Sequence, residues 1–473
     1  MTISDKNDRI LFMKVGEQML KKNDVFTVSV DDMNFLGFGV AKIDGIAVFI
    51  SGAVAGDTAQ IKIIKVAKTY AVARTERIIS ASPHRVEDSC PVSASCGGCA
   101  FRSVSYDFEK SLKENSVKMS FVKQGMRDVC VMPLTFAKTA HYRNKGQYPV
   151  RKDALGNTVI GFFAAKSHRV LNCANCELQN DSFAKIIEEI RLFIDDNNIS
   201  VYDEESGRGL VRHIYLRIGE MTGEIMLCLV LCGESLPRED SFISMMTEKF
   251  PAIKSLYINT NTKDTNVVLG DKYRLLYGKP YITDVLCGVK LEITPQSFYQ
   301  VNRDAAELLY QKGASLAGFN GNELLLDLYC GIGSIGLSMA NKVKRLIGIE
   351  VVPSAIECAK KNAELNGITN ASFYCGDAAN TEKMLESAKA AEGDFIPDVV
   401  ILDPPRKGCA AELLDFIARL SVKKIVYISC NSETLARDAK ILTESGYKMS
   451  EVYPFDLFCR TGHVECVTMF ERN

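Results

Sequence analysis

Residues 322–340 read NELLLDLYCGIGSIGLSMA. An apolar run stops at a glycine turn, and a helix start follows. Gly331, Gly333 and Gly336 satisfy the GxGxxG pattern. Glycine lets a ligand approach the backbone closely, and a helix start offers free N–H groups. The next apolar run, RLIGIE, ends in Glu350, about twenty positions after the first glycine, where a carboxylate can hold both hydroxyls of a ribose. A nicotinamide dinucleotide and S-adenosylmethionine both suit such a unit. The second needs no pyrophosphate cradle. Asp327 inside the first strand, and Asp377 after the third in FYCGDA, favour it.

Working outward, apolar strands alternate with helices from this unit to the end of the chain. That alternation predicts a doubly wound parallel sheet, a Rossmann-like α/β domain over 291–473. The stretch SFYQVNRDAAELLYQKGASLAG reads as a helix leading into it. Upstream, 23–82 holds short alternating runs such as FTVSV and AQIKIIKV, split by glycine turns. They predict an all-β, OB-type barrel. Its basic face would carry Lys62, Lys65, Lys68, Arg74 and Arg77. Between the two, 83–290 reads as a mixed α+β region that begins with a cysteine cluster. Residues 1–22 read as a short amphipathic helix or an extension.

The chain has 473 residues, 47% of them hydrophobic, so each region can bury a core. A formal net charge of −1 argues against general coating of nucleic acid, and DNA is not an expected partner. A local basic face stays open. The first twenty residues lack the apolar core of a signal peptide. The longest apolar run, IMLCLVLC, is far short of the roughly 20 residues that span a bilayer. The 16 cysteines are not spaced like a secreted disulfide scaffold. A soluble cytoplasmic protein without membrane contact is expected, and a monomer.

Two further strands end in reactive groups. PDVVILDPPRKG ends its apolar run at Asp403, before two prolines that stiffen the turn. YISCNSETLARD ends its run at Cys430. Ligands of such sheets sit beyond the carboxyl ends of the strands, so both loops should open on one crevice. Asp403 there can accept the imide N–H of a uracil. Carbon 5 of uracil is a poor nucleophile until a thiolate adds to carbon 6, and a base must later remove the carbon-5 proton. Glu465, in CRTGHVECVTMF, is a candidate base, with His463 as the second.

The ordered motifs SFYQVN, DLYCGIGSIGL, IGIE, LDPPRKG, ISCNSETLARD and TGHVE resemble those of the RNA (uracil-5-)-methyltransferases. The ribosomal RNA branch, which carries an N-terminal TRAM domain, is the nearest in pattern. The resemblance runs from Asp24 to Phe470. It implies a class I methyltransferase fold, S-adenosylmethionine as methyl donor and 23S ribosomal RNA or its precursor as partner. It implies Cys430 as nucleophile and Glu465 as general base. Gln300, Tyr329, Glu350 and Asp403 would surround the donor and the target base, with Gly331 and Asp377 in the donor pocket. Phe298 would stack near a base flipped out of the RNA, or else be a core residue at a helix start.

CPVSASCGGC places Cys90, Cys96 and Cys99 close together, and LNCANCELQ offers Cys173 and Cys176. Four thiolates suit zinc or an iron–sulfur cluster. The resemblance favours a 4Fe-4S cluster on Cys90, Cys96, Cys99 and Cys176, with zinc as the alternative. A radical mechanism needs a different spacing of its cysteines. In the middle region, Lys138, Arg143, Lys145, Arg151 and Lys152 interleave with Tyr142 and Tyr148, and Arg208, Arg212 and Arg217 follow. That mixture suits RNA phosphates and bases. Three rivals remain: a transfer-RNA uracil-5 methyltransferase, a cytosine-5 enzyme using a second thiol such as Cys409, and a non-catalytic RNA-binding protein on a methyltransferase fold.

Overall fold

The computed structural model describes residues 20–377, 380 and 383–472; the expected extension lies outside these, apart from 20–22. The chain divides into two compact units. One holds residues 20–87 with Ala100–Phe108, and the other holds Asp88–Cys99 with Glu109 onward.

The first unit is built from β1 (Val25–Ser29), β2 (Asp32–Met33), β3 (Gly39–Ile43), β4 (Ile46–Ser51), β5 (Thr58–Val66) and β6 (Tyr70–Ser80). They form one six-stranded sheet in the order β1-β5-β6-β4-β3-β2. The period-2 pattern of β5 explains its place: Ala59, Ile61 and Ile63 face a core with Val48, Ile50, Ala71 and Ala73. The intervening positions carry the basic residues. Lys62 lies opposite Arg74, and Gln60 opposite Arg77, across the β5–β6 ribbon.

In the second unit, α1 (Tyr106–Lys123, from Glu109 onward) and β7 (Thr135–Phe136) precede the central strands. These are β8 (Lys145–Lys152), β9 (Thr158–Phe163), β10 (Val170–Asn172), β11 (Val211–Ile218), β12 (Ile225–Leu231), β13 (Ile253–Thr260) and β14 (Lys272–Gly278). They form a seven-stranded sheet, β10-β9-β8-β11-β12-β13-β14. Helix α2 (Ser182–Asp196) presents Phe183, Ile186, Ile187 and Ile190 to one face, the spacing of an amphipathic helix. Helix α3 (Glu239–Lys249) adds Phe242 and Met246 there. The other face gives Tyr215, Met226, Cys228 and Tyr257 to a separate core. β12 is therefore buried on both faces, which accounts for its unbroken apolar run.

A hairpin, β15 (Ile282–Leu286) with β16 (Val289–Ile293), leads to α4 (Arg303–Ala317). The helix does not include SFYQVN as expected. The Asn302 side chain accepts the Ala305 N–H at 3.2 Å and caps the helix, so Ser297–Asn302 form a separate loop before it.

The remaining elements are β17 (Leu324–Leu328), α5 (Ser334–Met339), β18 (Arg345–Glu350), α6 (Pro353–Leu365), β19 (Ala371–Cys375), α7 (Glu386–Glu392) and β20 (Val399–Leu402). After them come α8 (Ala411–Arg419), β21 (Lys424–Ser429), α9 (Ser432–Glu444), β22 (Tyr447–Met449), β23 (Tyr453–Asp456) and β24 (Glu465–Arg472). The sheet order is β19-β18-β17-β20-β21-β24-β23-β7. β17 to β21 are parallel, and β24 runs antiparallel to β21. Strand order reverses between β17 and β20, the switch point at which such sheets bind ligands. The carboxyl ends of β17, β18, β20 and β21 share one edge, and the amino end of β24 lies there too. Ile425, Val426, Tyr427 and Ile428 of β21 are fully buried; burying each such side chain stabilises by about 1.5–3 kcal/mol. The strand is thus a rigid base for the residue after it. Among the described residues, no helix is long and apolar enough to cross a membrane.

Candidate active site

The glycine loop is shaped by two carboxylates. Gly331 and Gly333 adopt φ of +55° and +84°, which side-chain-bearing residues rarely tolerate. Glu350 accepts the Gly331 N–H at 3.2 Å and the Val352 N–H at 3.0 Å, so the acid expected to bind ribose also ties β18 to the loop. Asp327 accepts the Gly336 N–H at 2.9 Å through one oxygen. Its other oxygen is buried without a partner. Burial, with Asp403 and Glu350 nearby, pushes Asp327 up to about 8. Tyr329 is left-handed at φ +65° although it is not glycine. Such a backbone persists only where its surroundings enforce it, often at functional sites. The side chain lies within electrostatic reach of Cys409 and Asp377. Asp377 is exposed, just past the end of β19.

Cys430 follows the last residue of β21 and is half-buried. Ser429 pairs with Cys466 of β24, so one step further places Cys430 beside Glu465. Burial raises the thiol to about 11, with Glu465 and Asp403 adding to the rise and Arg406 opposing it. Glu465 is buried; that burial and Asp403 push it up to about 8, again against Arg406. Asp403 opens in part to the surface, yet its carboxyl is enclosed enough to rise to about 7. Three acidic groups thus crowd one another, and a cationic ligand would relieve them. The sulfonium of S-adenosylmethionine is such a cation, and the orphan Asp327 oxygen and the glycine loop complete residues that fit that donor.

The helix after the cysteine is a clamp on the Asp403 loop. Asn431 caps α9 by accepting the Glu433 N–H at 3.0 Å. Its amide donates to the Arg406 carbonyl at 3.1 Å. Arg437 donates to the carbonyls of Lys407 and Cys409, both at 3.0 Å. Asp438 accepts the Cys409 N–H at 2.9 Å and the Tyr427 hydroxyl at 2.6 Å. The thiol of Cys409 is buried and held up at about 12. Sequence reasoning left the roles of Asn431, Arg437 and Asp438 unread, because their partners lie some 25 to 30 positions away. It gave no role to Arg406, the cation that faces both Cys430 and Glu465.

In the SFYQVN loop, Gln300 is buried and its carbonyl accepts the Asn144 amide at 2.9 Å. Phe298 is 68% exposed, which rules out the reading of it as a core residue. Several middle-region residues expected to meet RNA are instead structural. Tyr142, Tyr148, Arg151, Arg212 and Arg217 are all buried. Arg212 donates to the carbonyls of Asn261 and Lys263 and stacks on Tyr202. Arg217 donates to the carbonyls of Thr294 and Ser297. Long basic side chains here replace missing backbone donors, a role that spacing does not reveal. Lys145, opposite Arg217 on β8, is half-buried, and burial with the adjacent Arg217 and Arg143 lowers it to about 8.

A family model described as tRNA (uracil-5-)-methyltransferase matches residues 259–473, and a TRAM-domain model matches residues 20–75. A Bacillus cereus protein named as an uncharacterized RNA methyltransferase is 41% identical over 96% of this chain and 98% of its own. A relative of the same description from Halalkalibacterium halodurans is 40% identical over 97% and 99%. The chain belongs to the RNA (uracil-5-)-methyltransferases. The solved Pyrococcus abyssi tRNA (uracil-54, C5)-methyltransferase, in complex with S-adenosyl-L-homocysteine, superposes with a TM-score of 0.75 at 27% identity. It covers 94% of this chain and all of its own. This is therefore an S-adenosylmethionine-dependent RNA methyltransferase, with a methyltransferase-fold catalytic domain and an N-terminal β-barrel of the TRAM type.

The cysteine segment is drawn together less completely. Ala165 donates its N–H to the Ser95 carbonyl at 2.8 Å, and Cys96 bridges Ala164, which pins the triplet loop near the turn between β9 and β10. Cys173 is raised to about 12 by burial and by Cys176, Cys90 and Cys96. Cys176 is raised by burial, Cys90 and Cys96, against N–H donors from Leu178 and Gln179. The thiols are within electrostatic reach of one another. Yet among the described residues no group of three or more His, Cys, Asp or Glu side chains is arranged to hold a metal ion. The donor chemistry suits a cluster; the arrangement is not that of a closed site.

Proposed function

We propose that the protein methylates carbon 5 of a uridine in 23S ribosomal RNA through a covalent adduct on Cys430. The observation that carries this reading is the placement of Cys430 beside Glu465, with Asp403 on the neighbouring strand end. In this mechanism Asp403 receives the imide N–H of the flipped uracil. Cys430 gives its proton to solvent, and the thiolate adds to carbon 6 and turns carbon 5 into an enolate-like nucleophile. S-adenosylmethionine supplies the methyl group that carbon 5 takes. Glu465 then removes the carbon-5 proton, the carbon–sulfur bond breaks and the thiolate leaves. The His463 residue is exposed overall, but its ring is partly enclosed, and that enclosure, with Arg406 nearby, holds its pKa down. It is the weaker candidate for the base, because Glu465 is the group beside the thiol. Phe298, exposed on the loop of Gln300, is proposed to stack on RNA.

The choice of ribosomal RNA rests on the sequence resemblance. Transfer RNA is the second reading, favoured by the Pyrococcus abyssi enzyme, whose match over 94% of this chain leaves the barrel no argument against it. Cys90, Cys96, Cys99 and Cys176 are proposed as ligands of a 4Fe-4S cluster with a structural role, and the cytoplasm as the compartment. No catalytic step needs the cluster. The test is product analysis. The protein is incubated with methyl-labelled S-adenosylmethionine and either 23S ribosomal RNA transcripts or transfer RNA, and the nucleosides are separated. Labelled 5-methyluridine from the 23S transcripts alone supports the proposal. Label from transfer RNA alone replaces the substrate, and label in cytidine overturns the mechanism.

A further inference from the structure

The catalytic base is the first residue after a hairpin loop, and that loop is held from below by a buried ion network. β23 pairs with β24, and the loop between them, residues 457–464, delivers Glu465. Lys113 of α1 is 1% exposed at its side chain and reaches Asp456 at 2.9 Å, the last residue of β23. It also reaches the Phe458 carbonyl at 3.3 Å and Glu109 at 2.8 Å. Glu109 in turn accepts the backbone N–H of Arg460 at 2.7 Å, and the Arg460 guanidinium at 3.3 Å. Arg460 is left-handed, φ +69°, so this carboxylate fixes a backbone that the residue would not choose. The Tyr142 hydroxyl donates to the Cys459 carbonyl at 3.0 Å.

Two turns further along the same helix, Ser120 meets Ser432 at 2.9 Å and Lys123 pairs with Glu433 at 2.9 Å. Ser432 and Glu433 are the first turn of α9, next to Cys430. One helix therefore grips both the approach to the base and the exit from the nucleophile. Buried ions are costly unless paired, and here each is paired onto catalytic-loop backbone or its anchor.

We propose that α1 is a strut for the catalytic pair, with Lys113 and Glu109 as positioning residues that set the Glu465 carboxylate against carbon 5 of the adduct. The inference rests on Glu465 being the base. A base displaced by the loss of its support should slow proton removal more than thiol addition. The methylated adduct should then build up on ordinary uridine, which simple loss of folded protein would not cause.

The test uses full-length Lys113→Met, Glu109→Gln and Glu465→Gln beside the wild type, with a transcript that the wild type methylates. S-adenosylmethionine binding and denaturing gels of the RNA-linked protein are read together. Lys113→Met is expected to bind the donor normally, to turn over about 10- to 100-fold more slowly and to accumulate adduct. Glu109→Gln, which keeps the shape and loses the charge, should move the same way by less, and it carries the test if Lys113→Met does not fold. Normal turnover in Glu109→Gln, or slow turnover without adduct while Glu465→Gln accumulates it, overturns the strut. If Glu465→Gln itself leaves no adduct, the base assignment falls and the strut falls with it.

Discussion

Two groups of cysteines in this chain meet opposite surroundings. Cys430 stands at the end of a largely buried strand, with carboxyls from two other strand ends and one arginine around it. Cys90, Cys96, Cys173 and Cys176 lie in loops, and after burial the charges that raise the last two come from the other thiols of the group. A thiol among carboxyls is held protonated until substrate and a cationic donor change the balance. Such a thiol can be discharged into a covalent bond and recovered. Thiols that disturb each other would be relieved together by a shared cation. The residue type is the same, and its neighbours set which chemistry is open to it.

The sharpest way to break this contrast is to remove one cysteine from each group. Cys430→Ala should lower methylation by more than about 1,000-fold while donor binding, followed by calorimetry, is unchanged. Cys96→Ser should instead remove brown absorbance near roughly 400 nm and leave adduct chemistry measurable in any protein that stays folded. A colourless wild type with stoichiometric zinc would keep the contrast and replace the metal.

Glu465→Gln comes next, with turnover down about 100- to 10,000-fold and adduct accumulating. The same variant sharpens the electrostatic half of the comparison. Glu465 is raised to about 8, above its unfolded value, so the folded state binds the extra proton between the two. Stability from this group is present at low pH and is lost as pH rises toward 8. Glutamine mimics the neutral form. The variant should melt with the wild type at pH 5 and higher than it at pH 8.5, by about 2 °C or more. A lower melting temperature at pH 8.5 would mean that the ionised carboxylate is well paired. The smallest effect is expected of Phe298→Ala. Loss of one stacked base should raise KM for RNA about tenfold with kcat nearly kept, and an unchanged KM would return Phe298 to ordinary surface.

What was legible in the sequence follows from how local each signal is. The glycine loop, Glu350, Asp403 and Cys430 sit within a few positions of a strand end, and the period of the surrounding residues gives that end away. The edge formed by β24 was legible in part, since Glu465 stands out in CRTGHVECVTMF, where that strand begins. The strut was not. An i,i+4 pair such as Glu109 and Lys113 is common on helix surfaces, and the contact of Lys113 with Asp456 lies 343 positions away. The start of α4 was misread because the pattern of SFYQVN continues that of the helix, while the cap at Asn302 ends it. Arg212 and Arg217 were misread because a basic residue in a strand looks the same whether it meets a phosphate or a buried carbonyl.

The most direct test of the covalent account is a trapping gel. The protein is mixed with S-adenosylmethionine and RNA carrying 5-fluorouridine, then run under denaturing conditions. Fluorine at carbon 5 cannot be removed as a proton is, so the methylated adduct should stay on the protein. The account predicts a shifted band that requires the donor and disappears in Cys430→Ala. A band that survives Cys430→Ala, or no band on an RNA that the wild type methylates, would contradict it.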